Sequence, residues 1–253
     1  MIVLIKDEKF EQGHFAFEIS YISEKGGRAI NEDSVVVSHN DENIVLAVAD
    51  GLGAHGGGDV ASGIASDIVK EEYLKLSSPK NRNIYDIFST INDSINSRQT
   101  EKLKMKTTLS CLLCRNKRIY AAHLGDTRIY TFKNNNKTYI TADHSIAFEE
   151  MIKNHGSPDD IRTNPNRHIL NAALGVDYSQ HPVTFKHRIK NNLSFLICSD
   201  GFWEYVLEDE MLLALVNTQT AREWLEKMLE FHRKKTDTSN DNYSAICLKI
   251  TKK

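Results

Sequence analysis

Acidic residues in this sequence sit at the ends of apolar runs. Ile44–Ala49 stops on Asp50-Gly51, Leu193–Cys198 stops after Ser199 on Asp200-Gly201, and Ile119–Leu124 stops on Gly125-Asp126. Asn31-Glu32-Asp33 and Asp241-Asn242 stand instead just before the runs Ser34–Ser38 and Ser244–Ile250. If the runs are antiparallel strands, the end of one lies beside the start of its neighbour, and these acids share one rim. Carboxylates crowded together repel unless something positive joins them. A hard divalent cation with oxygen ligands is the natural partner. Gly51 suits the same purpose, because a residue without Cβ lets the chain turn sharply and present a carbonyl to a metal. Arg28, a few residues before Glu32, carries the planar fork that grips a phosphoryl group through two bonds. Taken singly each feature is ordinary: Asp-Gly is a common turn, and Arg28 alone reads as a surface salt bridge. The repetition, each time against an apolar strand, argues for a metal site built from several acids.

The elements that must position these acids are short. Phe15–Ile19, Ser34–Ser38, Ile44–Ala49, Leu109–Cys114, Ile119–Leu124, Arg128–Phe132, Leu193–Cys198 and Ser244–Ile250 read as strands, rich in β-branched and aromatic residues. Brief links such as Lys133-Asn-Asn-Asn-Lys137 imply hairpins. Helical spacing appears at Val60, Ile64 and Ile68, and at Ile84, Ile87, Phe88, Ile91 and Ile95. It returns at Phe148, Met151 and Ile152 and at Ala221, Trp224, Leu225, Met228 and Leu229. Helices grouped between antiparallel strands give an α+β layered domain. The stretch 156–167 holds two Pro and no clear period, and is expected to be a surface loop bordering the site.

Composition narrows the classes. A chain of 253 residues with 4 Pro and no linker fits one domain, 1–253. A net charge of −2 without a basic block argues against nucleic acid. The apolar start, Met1–Ile5, is too short for a secretory signal, and no run approaches a membrane span. Cys111, Cys114, Cys198 and Cys247 lie in strand-like segments and read as buried thiols of a reducing, cytoplasmic compartment. Cys111 and Cys114 have the spacing of half a zinc site, but on a strand they point to opposite faces. A Gly-Lys-Ser/Thr ending is missing from the Gly51–Gly58 stretch, so it is not read as a nucleotide loop.

Together the segments Arg28–Ser34, Val48–Ser62, Thr107-Thr108, Gly125–Arg128, Thr141–Ser145, Ser199–Gly201 and Asp241-Asn242 resemble the type 2C metal-dependent serine/threonine phosphatases in their short bacterial form. The resemblance covers about Arg28 to Leu248. It implies two packed antiparallel sheets flanked by helices, an α-β-β-α sandwich. It also implies two Mn²⁺ or Mg²⁺ ions bridged by Asp50. Gly51 would give its carbonyl to one ion, and Asp200 and Asp241 would hold the other. Glu32 and Asp33 would act through metal-bound waters, Arg28 would bind phosphate, and Asp126 with Asp200 would match a third-metal site. Residues Gly156–Leu174 look like the family's flap, near the substrate.

The implied chemistry is attack on a phosphoserine or phosphothreonine phosphate by a metal-activated water, with no phosphoenzyme. Some members place a His directly after the metal-binding Asp-Gly; Leu52 stands there in this chain, and His55 is not assigned as the acid. Lys106 replaces the usual Gly before Thr107, and Ala54 replaces a second Gly. The substrate implied is a phosphoprotein in a pathway with a serine/threonine kinase, the protein a monomer, with no nucleic-acid or membrane partner. Two other readings use the same fold: a non-catalytic phosphoprotein-binding module and a small-molecule phosphoesterase.

Overall fold

The computed structural model describes residues 4–53, 56–77, 80–101, 103–115, 117–176 and 181–253. One sheet contains β1 (Lys6–Gln12), β2 (Phe15–Glu24), β11 (Tyr243–Lys252), β10 (Leu193–Cys198), β7 (Arg128–Lys133) and β8 (Asn136–Ile140), in that spatial order. The other contains β3 (Asp33–His39), β4 (Asn43–Asp50), β5 (Leu109–Arg115), β6 (Arg118–Leu124) and β9 (Val183–Arg188). All of these pairings are antiparallel.

Period-2 alternation divides each central strand between two cores. On β4, Ile44, Leu46 and Val48 face the opposing sheet, where Phe195, Ile197, Ile246 and Leu248 meet them. Val45, Ala47 and Ala49 face α1 (Gly58–Leu74) and α2 (Asn81–Asn96). The outer face of the other sheet carries Leu196, Cys198, Ala245 and Cys247. It is covered by α3 (Ile146–Lys153), α4 (Pro158–Thr163), α5 (Asp200–Trp203), α6 (Glu208–Val216) and α7 (Ala221–Lys235). The layers therefore run helix, sheet, sheet, helix, as expected. Burial on both faces is why the central strands read as unbroken apolar runs. Cys111 packs on the helix side and Cys114 between the sheets, so the pair points apart as the strand period requires.

The eight strands read from the sequence are present. Three more, β1, β8 and β9, all lie at sheet edges; β1 and β9 were not anticipated, and β8 is the partner implied by the hairpin expected at Lys133–Lys137. Their sequences are charged and half exposed, as edges need to be to resist pairing with other chains. The Asn-rich link folds as a two-residue hairpin, with Asn134 and Asn135 both at positive φ (49° and 59°). The stretch 156–167 is not all loop. It contains α4, which begins with Pro158 and whose Ser157 N–H donates to Asp160 Oδ2 at 2.6 Å. Pro at the first helical position and an acid three residues after the cap are start signals that the absence of periodicity masked.

Candidate metal centre

The rim predicted from strand ends exists. Asp33 and Asp50 are direct cross-strand partners on β3 and β4. Asp200 follows β10 at the first residue of α5, and Asp126 lies in the β6–β7 turn. Asp241 precedes β11. Together with Arg28, Glu32, Gly51 and Lys106, four of these acids (Asp50, Asp126, Asp200 and Asp241) line a cleft of about 850 Å³. Asp33 sits behind them, 9% exposed.

Backbone bonds fix the acids in place. The Asp50 carbonyl accepts from Thr108 N–H and Thr107 Oγ1, each at 2.9 Å, and its N–H donates to Thr108 Oγ1 at 3.0 Å. This is what the Thr107-Thr108 pair contributes. Asn242 staples the Lys25–Glu32 loop: its amide donates to the Lys25 and Ile30 carbonyls at 2.8 and 3.0 Å, and its Oδ1 accepts from Glu32 N–H at 2.8 Å. Ser199 Oγ donates to Asp33 Oδ2 at 2.8 Å. Trp203 Nε1 donates to the Asp126 carbonyl at 3.0 Å. Gly125 does require positive φ, at 109°, to turn β6 toward Asp126. Gly51 does not. Its side chain is excluded by crowding, since a Cβ there would strike the Gly58 and Glu32 carbonyls. The expected sharp turn at Gly51 is therefore replaced by close packing of two backbone segments.

Among the described residues Asp33, Asp50, Asp126 and Asp200 have no ion-pair partner. Burial, then Asp200, Asp33 and Asp126, push the Asp50 carboxyl well above the usual range. Burial, then Asp200 and Asp143, do the same to Asp126. Burial raises Asp33 to about 7 against the hydrogen bonds from Ser244 and Ser199, and Asp200 is raised by burial and Asp241. Asp33 Oδ1 and Asp126 Oδ1 are buried without a hydrogen-bond partner among the described residues. A buried acceptor left unpaired costs about 1–3 kcal/mol, more when charged. An all-oxygen set of this kind fits Mg²⁺ or Mn²⁺, which would pair those oxygens and remove the repulsion.

Arg28 is at the rim, with its side chain 60% exposed, and grips Asp241 through two bonds of 2.8 and 2.7 Å. The two residues expected to hold phosphate and metal separately are thus paired with each other. The stretch 156–174 forms one cleft wall through His168 to Ala173. It is anchored at both ends. Arg162 donates to the Trp203 carbonyl at 3.3 Å and to Glu208 at 2.9 Å, and Leu174 N–H donates to the Thr107 carbonyl at 2.8 Å.

A profile of protein phosphatase 2C matches residues 24–242, which spans every acid described above. The chain belongs to the protein phosphatase 2C family. A "Serine/threonine phosphatase stp" of Listeria welshimeri is 32% identical over 191 residues, 72% of this chain and 75% of that protein. The Mycobacterium tuberculosis serine/threonine phosphatase PstP/Ppp has the same fold, with a TM-score of 0.80 at 24% identity over 92% of this chain and 98% of that one. A PstP catalytic domain in complex with 2 manganese ions superposes with a TM-score of 0.79 at 23% identity, over 94% of this chain and 99% of that one.

Within this protein phosphatase 2C chain, several residues at the site escaped the sequence reading. Trp203 and Glu204 carry no spacing signal, because their partners come from distant segments, whereas Ser199 and His168 lie inside segments already singled out but were given no role of their own. Lys106 does line the cleft, as its position beside Thr107 suggested, and its carbonyl accepts from Leu52 N–H at 2.9 Å. Ala54 and His55 lie outside the described residues. No helix among the described residues is long and apolar enough to cross a membrane.

Proposed function

We propose that this chain removes phosphate from phosphoserine and phosphothreonine side chains of proteins, with two Mn²⁺ or Mg²⁺ ions and no phosphoenzyme. The carrying observation is the group of uncompensated acids, with two orphaned oxygens, at one end of a cleft that has a guanidinium on its rim. Asp50, the Gly51 carbonyl, Asp200 and Asp241 would hold two ions. Glu32 and Asp33 would support them through bound waters, and Asp126 with Asp200 would hold a third. Bound divalent ions acidify water and neutralise phosphoryl charge.

The protein groups do the rest. Arg28 exchanges one bidentate anion for another when it releases Asp241 and takes the phosphoryl oxygens. Thr107, Thr108 and Asn242 hold the acids so that little reorganisation is needed as charge develops. The flap Gly156–Leu174 borders the substrate, and exposed Ile169 offers a peptide an apolar contact. The substrates are products of a serine/threonine kinase, and the chain acts as one monomeric phosphatase domain, 1–253, in signalling. Four free, buried cysteines fit a reducing cytoplasm.

The test is phosphate release from a phosphothreonine peptide and from a small aryl phosphate, with Mn²⁺, with EDTA, and for Asp200→Asn. The proposal expects release from the peptide that EDTA and the substitution abolish. Intact protein that binds the phosphopeptide without releasing phosphate would be a binding module instead. Activity on the aryl ester alone would make it a small-molecule esterase.

A further inference from the structure

Two potential ligands beside Asp200, His168 and Glu204, have no part in the roles given above. Glu204 follows α5 one turn after Asp200, and its N–H donates to the Asp200 carbonyl at 2.9 Å. The i, i+4 spacing puts both carboxylates on one face. His168 approaches them from the flap. One imidazole nitrogen and one oxygen from each carboxylate lie within 4.8 Å of one another. Donors around a metal at about 2.0–2.2 Å sit roughly 3–4 Å apart, so small side-chain rotations bring these three to coordination distance. Glu204 is already oriented, because its Oε1 accepts from Arg167 Nε at 2.9 Å. Carboxylate ligands are commonly steadied by such outer hydrogen bonds. Asp126, 4% exposed and lining the same cleft as Asp200, has an Oδ1 with no hydrogen-bond partner among the described residues.

We propose that His168, Asp200 and Glu204 form a flap-borne cation site that takes a borderline ion such as Zn²⁺ in preference to Mg²⁺. The proposal rests on the reading of Asp200 as a cation ligand and adds a nitrogen ligand to the acids assigned above. Imidazole suits Zn²⁺, whereas Mg²⁺ demands oxygen and keeps its water. Because His168 and Arg167 are neighbours on the flap, an ion at this site ties the flap to α5 at two consecutive residues. Zn²⁺ there is a brake on flap movement.

The experiment titrates Zn²⁺ into the full chain already saturated with Mn²⁺, by calorimetry, for the wild type, His168→Ala and Glu204→Gln. In parallel, tryptic cleavage within 156–174 is timed with and without Zn²⁺, and with Mg²⁺ in its place. His168 is exposed, so its loss leaves folding intact. The site predicts at least a tenfold weaker Zn²⁺ association in both variants, of the size reported for perturbed metal sites. It also predicts Zn²⁺ protection of the flap in the wild type only, and none from Mg²⁺. Zn²⁺ affinity equal in all three proteins, or flap cleavage indifferent to Zn²⁺, overturns it. Wild-type protein that releases phosphate with Mn²⁺ yet shows no His168-dependent Zn²⁺ binding defeats this site alone. Protein with His168-dependent Zn²⁺ binding but no phosphatase activity upholds the site and defeats the proposed activity.

Discussion

Two clusters of buried charge meet at Trp203, and they are built on opposite plans. On one side the indole N–H holds the Asp126 carbonyl, beside Asp50, Asp33 and Asp200. On the other, the ring lies 3.4 Å from the Arg128 guanidinium carbon, and Arg162 approaches the same ring. Arg128 grips Asp143 through bonds of 2.8 and 2.6 Å, with both side chains almost fully buried. Arg162 bonds Glu208 at 2.9 Å, and Tyr130 donates to the same carboxylate at 3.3 Å. In that cluster every carboxylate has a guanidinium. Burial raises Glu208, but Arg162 and Arg128 outweigh it and hold the carboxyl below its usual range. In the first cluster the acids mainly face one another, and burial drives them all upward. The same residue type at similar depth has a guanidinium partner in one place and, among the described residues, none in the other. Internal pairing makes the Arg128 cluster structural, whereas the rim has an excess of carboxyls that a bound cation would balance.

The largest expected effect separates these plans by function. Asp50→Asn should lower turnover by about 10³-fold or more, since electrostatic groups at a reacting centre are worth about 10²–10³ each and Asp50 would bridge two ions. EDTA should match it, with recovery on added Mn²⁺. Steady-state phosphate release checks both. If Asp50→Asn kept more than a tenth of the activity, the rim would not be the reacting centre.

Stability should report the reverse ranking. Arg128→Met leaves Asp143 buried and unpaired, and should cost about 3–5 kcal/mol in urea unfolding. Adding Asp143→Leu should recover much of that loss. An Arg128→Met protein as stable as the wild type would remove the contrast between the clusters.

Arg28→Ala should be intermediate, lowering kcat/KM by about 10²-fold through lost phosphate contact. It should not weaken Mn²⁺ binding, because it frees the Asp241 carboxylate. Weaker Mn²⁺ binding in calorimetry would mean that Arg28 positions Asp241 for the ion rather than competing with it.

The smallest effect concerns acid. Burial, then His144, holds His123 down to about 3. Its ring bonds Ser110 and the Ala142 carbonyl and stacks on His144, whose Nδ1 accepts from Gly125 N–H at 3.0 Å. A folded-state pKa below the unfolded value of about 6.5 contributes stability above 6.5 that is lost as pH falls toward 3. Melting temperatures from pH 7 to 4 should therefore fall more steeply for the wild type than for His123→Asn. Parallel curves would place the acid sensitivity elsewhere.

The sequence exposed one part of this comparison and hid the other. The rim acids were legible because most abut strands buried on both faces, such as Ile44–Ala49, and strand ends in antiparallel sheets converge. Other edge strands were not, because Lys6–Gln12 and Val183–Arg188 are charged where they meet solvent, while the apolar edge strand at Ser34–Ser38 was read. Helix α4 was signalled by Ser157-Pro158 and the following acid, but six residues are too few for a period. The pairings were hidden for a different reason. Arg28 and Asp241 stand 213 positions apart, and Trp203 reaches Asp126 across 77. Spacing carries no record of such contacts. Nor did it separate Gly125, which needs its positive φ, from Gly51, which needs only the absence of a side chain.

Thermal unfolding of the wild type and Asp50→Asn, each with and without Mn²⁺, tests the account of excess carboxyls most directly. Without metal, Asp50→Asn should melt higher than the wild type, because one repelling carboxylate is gone. Mn²⁺ should raise the wild type strongly, by the mass-action stabilisation of about 2.7 kcal/mol expected at a hundredfold excess over Kd, and the variant little. A metal-free variant that melts lower than the wild type, with both raised equally by Mn²⁺, would contradict it.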